Sequence, residues 1–283
     1  MKTTNDTTPH YFDMIFEELK NEDSVMGKAF GNHVHWGYWH EPQTADISLT
    51  GFLAAANELS EQHFALAAIT DNLKILDTGC GFGGSLDLLN QQYQNLELYG
   101  VNIDPRQIER ARQNVIPRIG SGNTVDFKVG DACKLDYPDA SFDVVIAMEC
   151  IFNFPSRLDY FKEAYRVLKP GGRLVFSDFI AYRPTFILFA LMCLPYISLL
   201  KKHFGEIAEP ISESGYKQLA ATEGFSLLEI RNITAGTLPT YKFLEKITEP
   251  NSQDAREMIK LYRFQHLVAR LGLHRYQIFA MQK

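Results

Sequence analysis

An aspartate separates an apolar run from a glycine-rich stretch in Leu73-Lys74-Ile75-Leu76-Asp77-Thr78-Gly79-Cys80-Gly81-Phe82-Gly83-Gly84. The order reads as strand, acid, turn and helix start. Glycines let a backbone turn tightly and approach a ligand closely, because no Cβ stands in the way. A carboxylate in front of such a turn suits a cationic or polyhydroxyl ligand better than a phosphate. Gly79, Gly81 and Gly84 also satisfy the G-x-G-x-x-G spacing of dinucleotide-binding turns, so the glycines alone leave the ligand open.

Three further segments carry polar residues where predicted strands end. Tyr99-Gly100-Val101-Asn102-Ile103-Asp104-Pro105-Arg106-Gln107 places Asn102 where a ribose would sit in a doubly wound sheet. In Gly130-Asp131-Ala132, the Asp131 carboxylate can accept from an adenine amino group and the Ala132 amide can donate to a ring nitrogen. Glu149 follows the apolar strand Phe142–Met148. Nearer the start, Gly31-Asn32-His33-Val34-His35-Trp36-Gly37-Tyr38-Trp39 offers imidazoles and aromatic rings. The rings either pack an N-terminal helix on the core or close over a ligand, where a ring face against a cation gains roughly 0.5–2 kcal/mol. His33 and His35 have a metal-like spacing but no third ligand motif nearby, so no metal is expected.

These residues need a scaffold of alternating elements. Strands are predicted at Lys74–Thr78, Leu96–Ile103, Thr124–Val129, Phe142–Met148 and Gly172–Asp178. Helices are predicted at Ile47–Ala68, Gly84–Tyr93, Pro105–Val115 and Ser156–Leu168. Such alternation predicts an α/β fold: a parallel sheet with helices on both faces. Val144-Val145-Ile146-Ala147-Met148 has the continuous apolar character of a strand buried on both sides. Phe225–Ile233 and His274–Met281 read as two more strands around one helical stretch at Tyr241–Leu271, the last strand entering antiparallel. The expected organisation is an N-terminal lid with helices over 1–70, a ligand-binding core over 71–182, a helical cap over 183–223 and the rest of the core over 224–283. Residues 1–10 are expected to be a tail.

The 283 residues carry a net charge of −6, which argues against a nucleic-acid footprint. The polar start Met1 to His10 has no apolar core, and Cys80, Cys133, Cys150 and Cys193 show no C-x-x-C spacing. A cytoplasmic protein with free thiols is expected. Residues 186–200 are apolar throughout, but the run is short for a transmembrane helix, which needs about 20 residues, and Pro195 interrupts it. A buried helix or a cap over a lipophilic pocket is the reading preferred to shallow attachment at a membrane surface.

Taken together, ILDTGCGFGG, GVNIDPRQ, GDA, SFDVVIAMEC and RVLKPGGRL resemble the class I S-adenosylmethionine-dependent methyltransferases over Leu73 to Asp178. The segment Gly31–Trp39 is similar to the small-molecule branch that includes tocopherol, sugar, macrolide and indolocarbazole methyltransferases. The resemblance implies a Rossmann-like, doubly wound sheet of seven strands with an antiparallel final strand. It implies that S-adenosyl-L-methionine is the cofactor and S-adenosyl-L-homocysteine the product. Asp77, Gly79, Cys80 and Gly81 would hold the methionine end, Asn102, Ile103 and Gln107 the ribose, and Asp131 and Ala132 the adenine. Trp36 and Tyr38 would cover the cofactor, and Glu149 would lie where methyl group and acceptor meet.

The chain departs from the family twice. Asn102 stands where an acid usually binds the ribose hydroxyls, and Gln107 is expected to share that task. Asn153 stands where many members of the branch carry a general-base histidine, and an amide takes no proton at neutral pH. Glu149, His35 and Asn153 are therefore the candidate catalytic residues, with His35 the substitute base. The expected activity is methyl transfer to an oxygen, nitrogen or carbon of a small, lipophilic acceptor. The alternative is a non-methylating relative, such as a cyclase, that uses the same pocket. Asp77 and Asn102 disfavour a nicotinamide oxidoreductase, and Glu149–Pro155 lacks the Asn-Pro-Pro-aromatic run of base-amino methyltransferases. Oligomeric state is not set by these residues.

Overall fold

The computed structural model describes residues 10–204 and 210–283. The tail expected over 1–10 lies outside them except at His10, where the first helix begins. Seven strands form one sheet: β1 Lys74–Thr78, β2 Glu97–Asn102, β3 Thr124–Val129, β4 Phe142–Ala147, β5 Leu168–Ala181, β6 Ser226–Asn232 and β7 His274–Gln282. Their order across the sheet is β3-β2-β1-β4-β5-β7-β6. The first five strands pair in parallel, and β7 inserts antiparallel to both β5 and β6. The order reverses between β1 and β4, so the crevice at their carboxyl ends is the topological switch point where such sheets bind ligands.

The strand sequences explain why both faces are covered. Side chains alternate along a strand, and here both sets are apolar. Ile75, Ile146, Val175 and Ile278 join one buried cluster. Their neighbours Leu76, Val145, Leu174 and Phe279 join another on the opposite face.

Eleven helices are assigned among the described residues. The N-terminal three are α1 His10–Leu19, α2 Val25–Ala29 and α3 Leu49–Ala67. The crossovers are α4 Gly84–Gln92, α5 Pro105–Asn114 and α6 Arg157–Val167. Beyond β5 come α7 Phe186–Cys193, α8 Ile197–Phe204, α9 Glu213–Glu223, α10 Thr234–Ile247 and α11 Gln253–Arg270. Local chemistry sets several starts. Asp104 caps α5 by accepting from the Arg106 amide at 2.9 Å, with Pro105 in the first turn. Ser156 caps α6 by accepting from the Asp159 amide at 3.1 Å.

Two expectations are corrected. The single helical stretch at Tyr241–Leu271 is two helices, broken at 248–252, where Ser252 caps α11 through the Ala255 amide. The fifth strand, expected from Gly172, already starts at Leu168. Gly171 adopts φ +80° there, and the pairing with β4 shifts register between Phe142 and Val144. Across that shift β4 advances two residues and β5 five, and Gly171 and Gly172 lie in that irregularity.

Candidate functional site

Asp77 is the penultimate residue of β1, paired with Gly100 of β2 and Ile146 of β4. Its carboxylate is buried and accepts no hydrogen bond from any described residue. Burial alone therefore pushes it up to about 7. The chain then turns sharply. The Gly79 and Cys80 amides both donate to the Val101 carbonyl, at 2.7 and 3.1 Å. These amides are thus already used, and the groups the turn still offers a ligand include acceptors. Gly79 (φ +87°) needs to be glycine twice over, because a Cβ would also stand 2.7 Å from the Cys150 Sγ.

At the end of the neighbouring strand β2, Asn102 meets Gln107, and both are buried. The Asn102 Nδ2 donates to the Gln107 Oε1 at 3.0 Å, and the Asn102 Oδ1 accepts from the Asp104 amide. The Gln107 Oε1 also lies 3.9 Å from where a Cβ on Gly81 would be. Asp131 is fixed at the end of β3 by the Cys133 amide, which donates to its Oδ1 at 2.8 Å. Ala132 is buried beside it, whereas the Ile103 side chain is mostly exposed.

The segment 31–37 lies across these strand ends. Arg110 donates twice to the Gly31 carbonyl, and His33 Nε2 pairs with Asn57 Oδ1 at 2.8 Å. Val34 sits 3.3 Å from a would-be Cβ on Gly81. The Trp36 amide donates to Glu149 Oε2 at 2.7 Å. The Trp36 ring packs edge-on against Phe179 and Tyr241, with centroids 4.9 and 4.4 Å away.

Glu149 follows β4 with φ +53°, a left-handed conformation that a residue with a Cβ adopts only when its surroundings hold it there. Its own amide donates to Ser177 Oγ at 3.2 Å. Burial pushes its carboxyl up to about 8, against the pull of the Trp36 amide and the Tyr276 hydroxyl. The next residue, Cys150, contacts Gly79 and donates from Sγ to the Thr78 carbonyl at 3.0 Å. Glu149 is thereby set one residue from the Asp77 turn.

Glu149 and Trp36 also face a cavity of about 1000 Å³. Phe152, Phe179, Phe189, Leu200 and Met258 are among its apolar walls. Polar groups on it include Arg157 and Asp178. Asp178 is fully buried; Arg157 Nη2 donates to its Oδ2 at 3.2 Å, and the Tyr216 hydroxyl donates to the same oxygen. Burial still raises Asp178, with both partners pulling the other way.

Other candidates are placed elsewhere. His35 is buried off the cavity wall: its Nδ1 meets the Trp36 carbonyl at 2.8 Å, so that nitrogen is the donor. Its Nε2 is left to accept from Ser60 Oγ at 3.3 Å. Burial, and then the neighbouring His33, depress its pKa well below the usual value. Asn153 lies in the short turn Ile151–Asn153, whose cavity-facing side chain is Phe152. Tyr38 packs on α10 at Gly236 rather than over the strand ends. Cys80 is buried behind the turn, its Sγ 2.9 Å from where a Cβ on Gly100 would be.

The sequence reading passed over Asp178, Arg157 and Tyr216. Asp178 had a usable signal: like Asp77 and Glu149, it is an acid late in an apolar strand, here Leu174–Phe179. Pairing of Ala147 with Phe176 puts it level with Glu149.

The model of the methyltransferase domain matches residues 76–176, from the Asp77 turn through most of β5. The methyltransferase GfsG of Streptomyces halstedii is 32% identical over 77% of this chain and 74% of its own length. The chain belongs to the class I S-adenosylmethionine-dependent methyltransferases. The 2-methyl-6-phytyl-1,4-hydroquinone methyltransferase of Synechocystis is 34% identical over 56% of this methyltransferase. This chain spans 48% of that relative's length, about half. The solved cyclopropane synthase MmaA2 of Mycobacterium tuberculosis matches 99% of this methyltransferase and 100% of its own chain. Its TM-score of 0.78 at 16% identity shows a shared fold.

The residues present fit this family's cofactor. S-adenosylmethionine carries an ammonium and a sulfonium, and Asp77 is a buried carboxylate with no cation beside it among the described residues. Its ribose hydroxyls need hydrogen-bond donors and acceptors, which the amides of Asn102 and Gln107 offer.

Proposed function

We propose that this methyltransferase moves a methyl group from S-adenosylmethionine to an oxygen, nitrogen or carbon of a small, lipophilic acceptor held in the cavity beside Glu149. The cofactor supplies an electrophilic methyl carbon on a cationic sulfur. Asp77 binds the ammonium of its amino-acid tail, and the Asn102–Gln107 pair and Asp131 bind ribose and adenine. Trp36 closes the crevice, while Glu149 holds or takes the proton of the acceptor's nucleophilic atom. Positioning supplies most of the acceleration, since aligning two reactants contributes roughly 7–11 kcal/mol.

One observation carries the reading: Glu149 belongs at once to the wall of the apolar cavity and, through Cys150, to the Asp77 turn. The acceptor in the name of the 2-methyl-6-phytyl-1,4-hydroquinone methyltransferase supports a lipophilic acceptor. So does the cavity, whose volume suits a molecule larger than a simple sugar. The residues outside the core fit the same reading, with 1–70 as lid and 183–223 as cap.

The test is incubation with methyl-labelled S-adenosylmethionine and a panel of lipophilic phenols, amines and alkenes, read by mass spectrometry. A labelled acceptor is expected. Tight binding of S-adenosylhomocysteine with no labelled product from any acceptor would transfer support to the non-methylating use of the same pocket.

A further inference from the structure

His274 opens β7 on the wall of the cavity beside Glu149. Its ring stacks on two phenylalanines. Phe179 of β5 lies 5.2 Å away with 15° between the planes, and Phe189 of α7 lies 5.5 Å away with 6°. Phe189 belongs to the apolar run that the sequence reads as short of a membrane span and buried. In the structure that run extends over Arg183–Phe204, long and apolar enough to cross a membrane by length and composition. Pro195 breaks it at Leu194–Tyr196, and it is only half covered. Ile187 is 77% exposed, while Phe189, Cys193 and Leu194 line the cavity. His274 is thus where the sheet meets the cap.

The imidazole differs from the buried ones packed inside the fold. His33 bonds to Asn57, His35 to the Trp36 carbonyl and His63 to the Leu59 carbonyl, each at 2.8 Å. His274 has no such bond among the described residues, and burial alone lowers its pKa, to about 4. The ring is neutral at pH 7, with one nitrogen a donor and the other an acceptor. A phenylalanine here would serve the stack and the apolar wall as well; the imidazole adds two polar atoms. Recognition suits them better than proton transfer. A base at about 4 takes up little proton near neutrality. Tyr276, the next residue on the same face of β7, is the one whose hydroxyl acts on Glu149. Same-face neighbours on a strand lie about 7 Å apart, so His274 stands off from the reacting acid, on the cap side.

We propose that His274 is a specificity-determining residue: its imidazole bonds a hydroxyl of the acceptor, so the acceptor is a lipophilic molecule with a hydroxyl set apart from its nucleophilic atom. A hydroxyl both donates and accepts, so it suits whichever ring nitrogen faces it. It is also neutral, and entering this apolar wall costs it less than it would cost a charged group. A few polar groups on a mostly apolar cavity orient a ligand in this way. This assignment rests on the methyl transfer proposed above, since it needs an acceptor in this cavity.

Calorimetry on the whole chain, saturated with S-adenosylhomocysteine, tests this with alkylated benzenediols whose hydroxyls are ortho, meta or para, each against the matching alkylphenol. At least one diol should bind about tenfold or more tightly than its alkylphenol, the worth of one added hydrogen bond. His274→Phe keeps a ring in the stack and should bring that ratio close to one. His274→Gln keeps a donor and an acceptor and should retain part of the preference. Where the phenylalanine variant does not fold, His274→Leu is read in the same way. The proposal is overturned if no diol outbinds its alkylphenol, or if the preference persists in the apolar variants. A histidine that only packs the wall would lower the melting temperature when replaced and leave the ratio at its wild-type value, which overturns the proposal as well. A diol preference that His274→Phe abolishes, with no labelled methyl reaching any acceptor, would overturn the proposed function and leave the recognition by His274 standing.

Discussion

The Trp36 amide donates to Glu149 Oε2 across 113 residues of chain, at 2.7 Å. That bond ties the segment covering the strand ends to the acid at the end of β4. It also engages one carboxyl oxygen, while Oε1 is buried without a hydrogen bond of good geometry. A carboxyl at about 8 in this position is protonated through most of the neutral range.

Glu149 should therefore set a pH dependence. If its carboxylate takes the acceptor's proton, the rate should rise about tenfold per pH unit up to about 8 and level off above. Glu149→Gln keeps an oxygen for the Trp36 amide but removes the base, so kcat should fall by about 10²–10⁴-fold with that slope abolished. A Gln variant with the wild-type profile would assign the proton transfer elsewhere.

Asp77 links cofactor affinity to pH. Its carboxyl, at about 7 in the free protein, must be ionised to hold an ammonium. Affinity for S-adenosylhomocysteine should therefore drop about 30-fold between pH 8 and 5.5, as protonation of a group at about 7 requires. Asp77→Ala should weaken binding by about 10–150-fold at pH 8, the loss of one charge-assisted hydrogen bond. Stability of the free protein runs the opposite way. The folded pKa is raised, so the native state binds the extra proton, and stability is lost as pH rises from about 4 towards 7. Asp77→Asn should thus stabilise the free protein at pH 8 by about 2–4 kcal/mol in urea titrations. Isothermal calorimetry checks the affinity and denaturation the sign.

The ribose pair predicts a gain of function. Asn102→Asp restores a charged acceptor and keeps the bond from the Asp104 amide, and Gln107 need only turn its amide over to donate. S-adenosylhomocysteine should bind about 3–10-fold more tightly, the increment of a charged over a neutral acceptor. Asn102→Asp with Gln107→Glu should bind more weakly than the wild type, because two carboxylates then face each other at the present 3.0 Å separation.

How much of this was legible in the sequence depended on the range of the interaction. The five parallel strands and the Asp77 turn were, because alternation, glycine and a terminal acid are local signals. So was the meeting of Asn102 with Gln107, which the first turn of α5 brings together. His35 shows where local reading stops: its spacing from His33 suggested chemistry, but Ser60 of α3 and its own neighbour's carbonyl occupy both ring nitrogens. The break between α10 and α11 was hidden because both flanks are helical in pattern. The Asp178–Arg157–Tyr216 cluster was hidden because its three members come from β5, α6 and α9, and no sequence spacing joins them.

The Gly79–Cys150 contact separates strain from crowding. Gly79→Ala adds a Cβ 2.7 Å from the Cys150 Sγ at φ +87°, and should destabilise by about 2–4 kcal/mol. Adding Cys150→Ala removes the sulfur but not the positive φ. Urea denaturation should then recover part of the loss, leaving about 1–2 kcal/mol of backbone strain. Full recovery would mean that this position tolerates its conformation without glycine.

Asp178 and Arg157 test whether the cavity's polar end recognises the acceptor or only holds the fold. Asp178 is fully buried and Arg157 nearly so, with 12% of its side chain exposed. Asp178 is the acid to which Arg157 and the Tyr216 hydroxyl both donate, so Asp178→Ala should destabilise by about 3–5 kcal/mol. Asp178→Leu with Arg157→Met removes both charges together and should recover most of that, since an apolar pair of similar volume often serves as well. Tyr216 would still need a partner for its hydroxyl, which now donates to Asp178, so recovery should stop short by about 1 kcal/mol. The double variant is then folded with a cavity end that lacks charge. If the pair orients a polar head of the acceptor, KM for that acceptor should rise about tenfold or more while S-adenosylhomocysteine affinity holds, because the acids proposed to bind the cofactor are Asp77 and Asp131. If KM is unchanged, the cluster is structural and selection falls to other polar groups on the cavity wall, Glu149 among them.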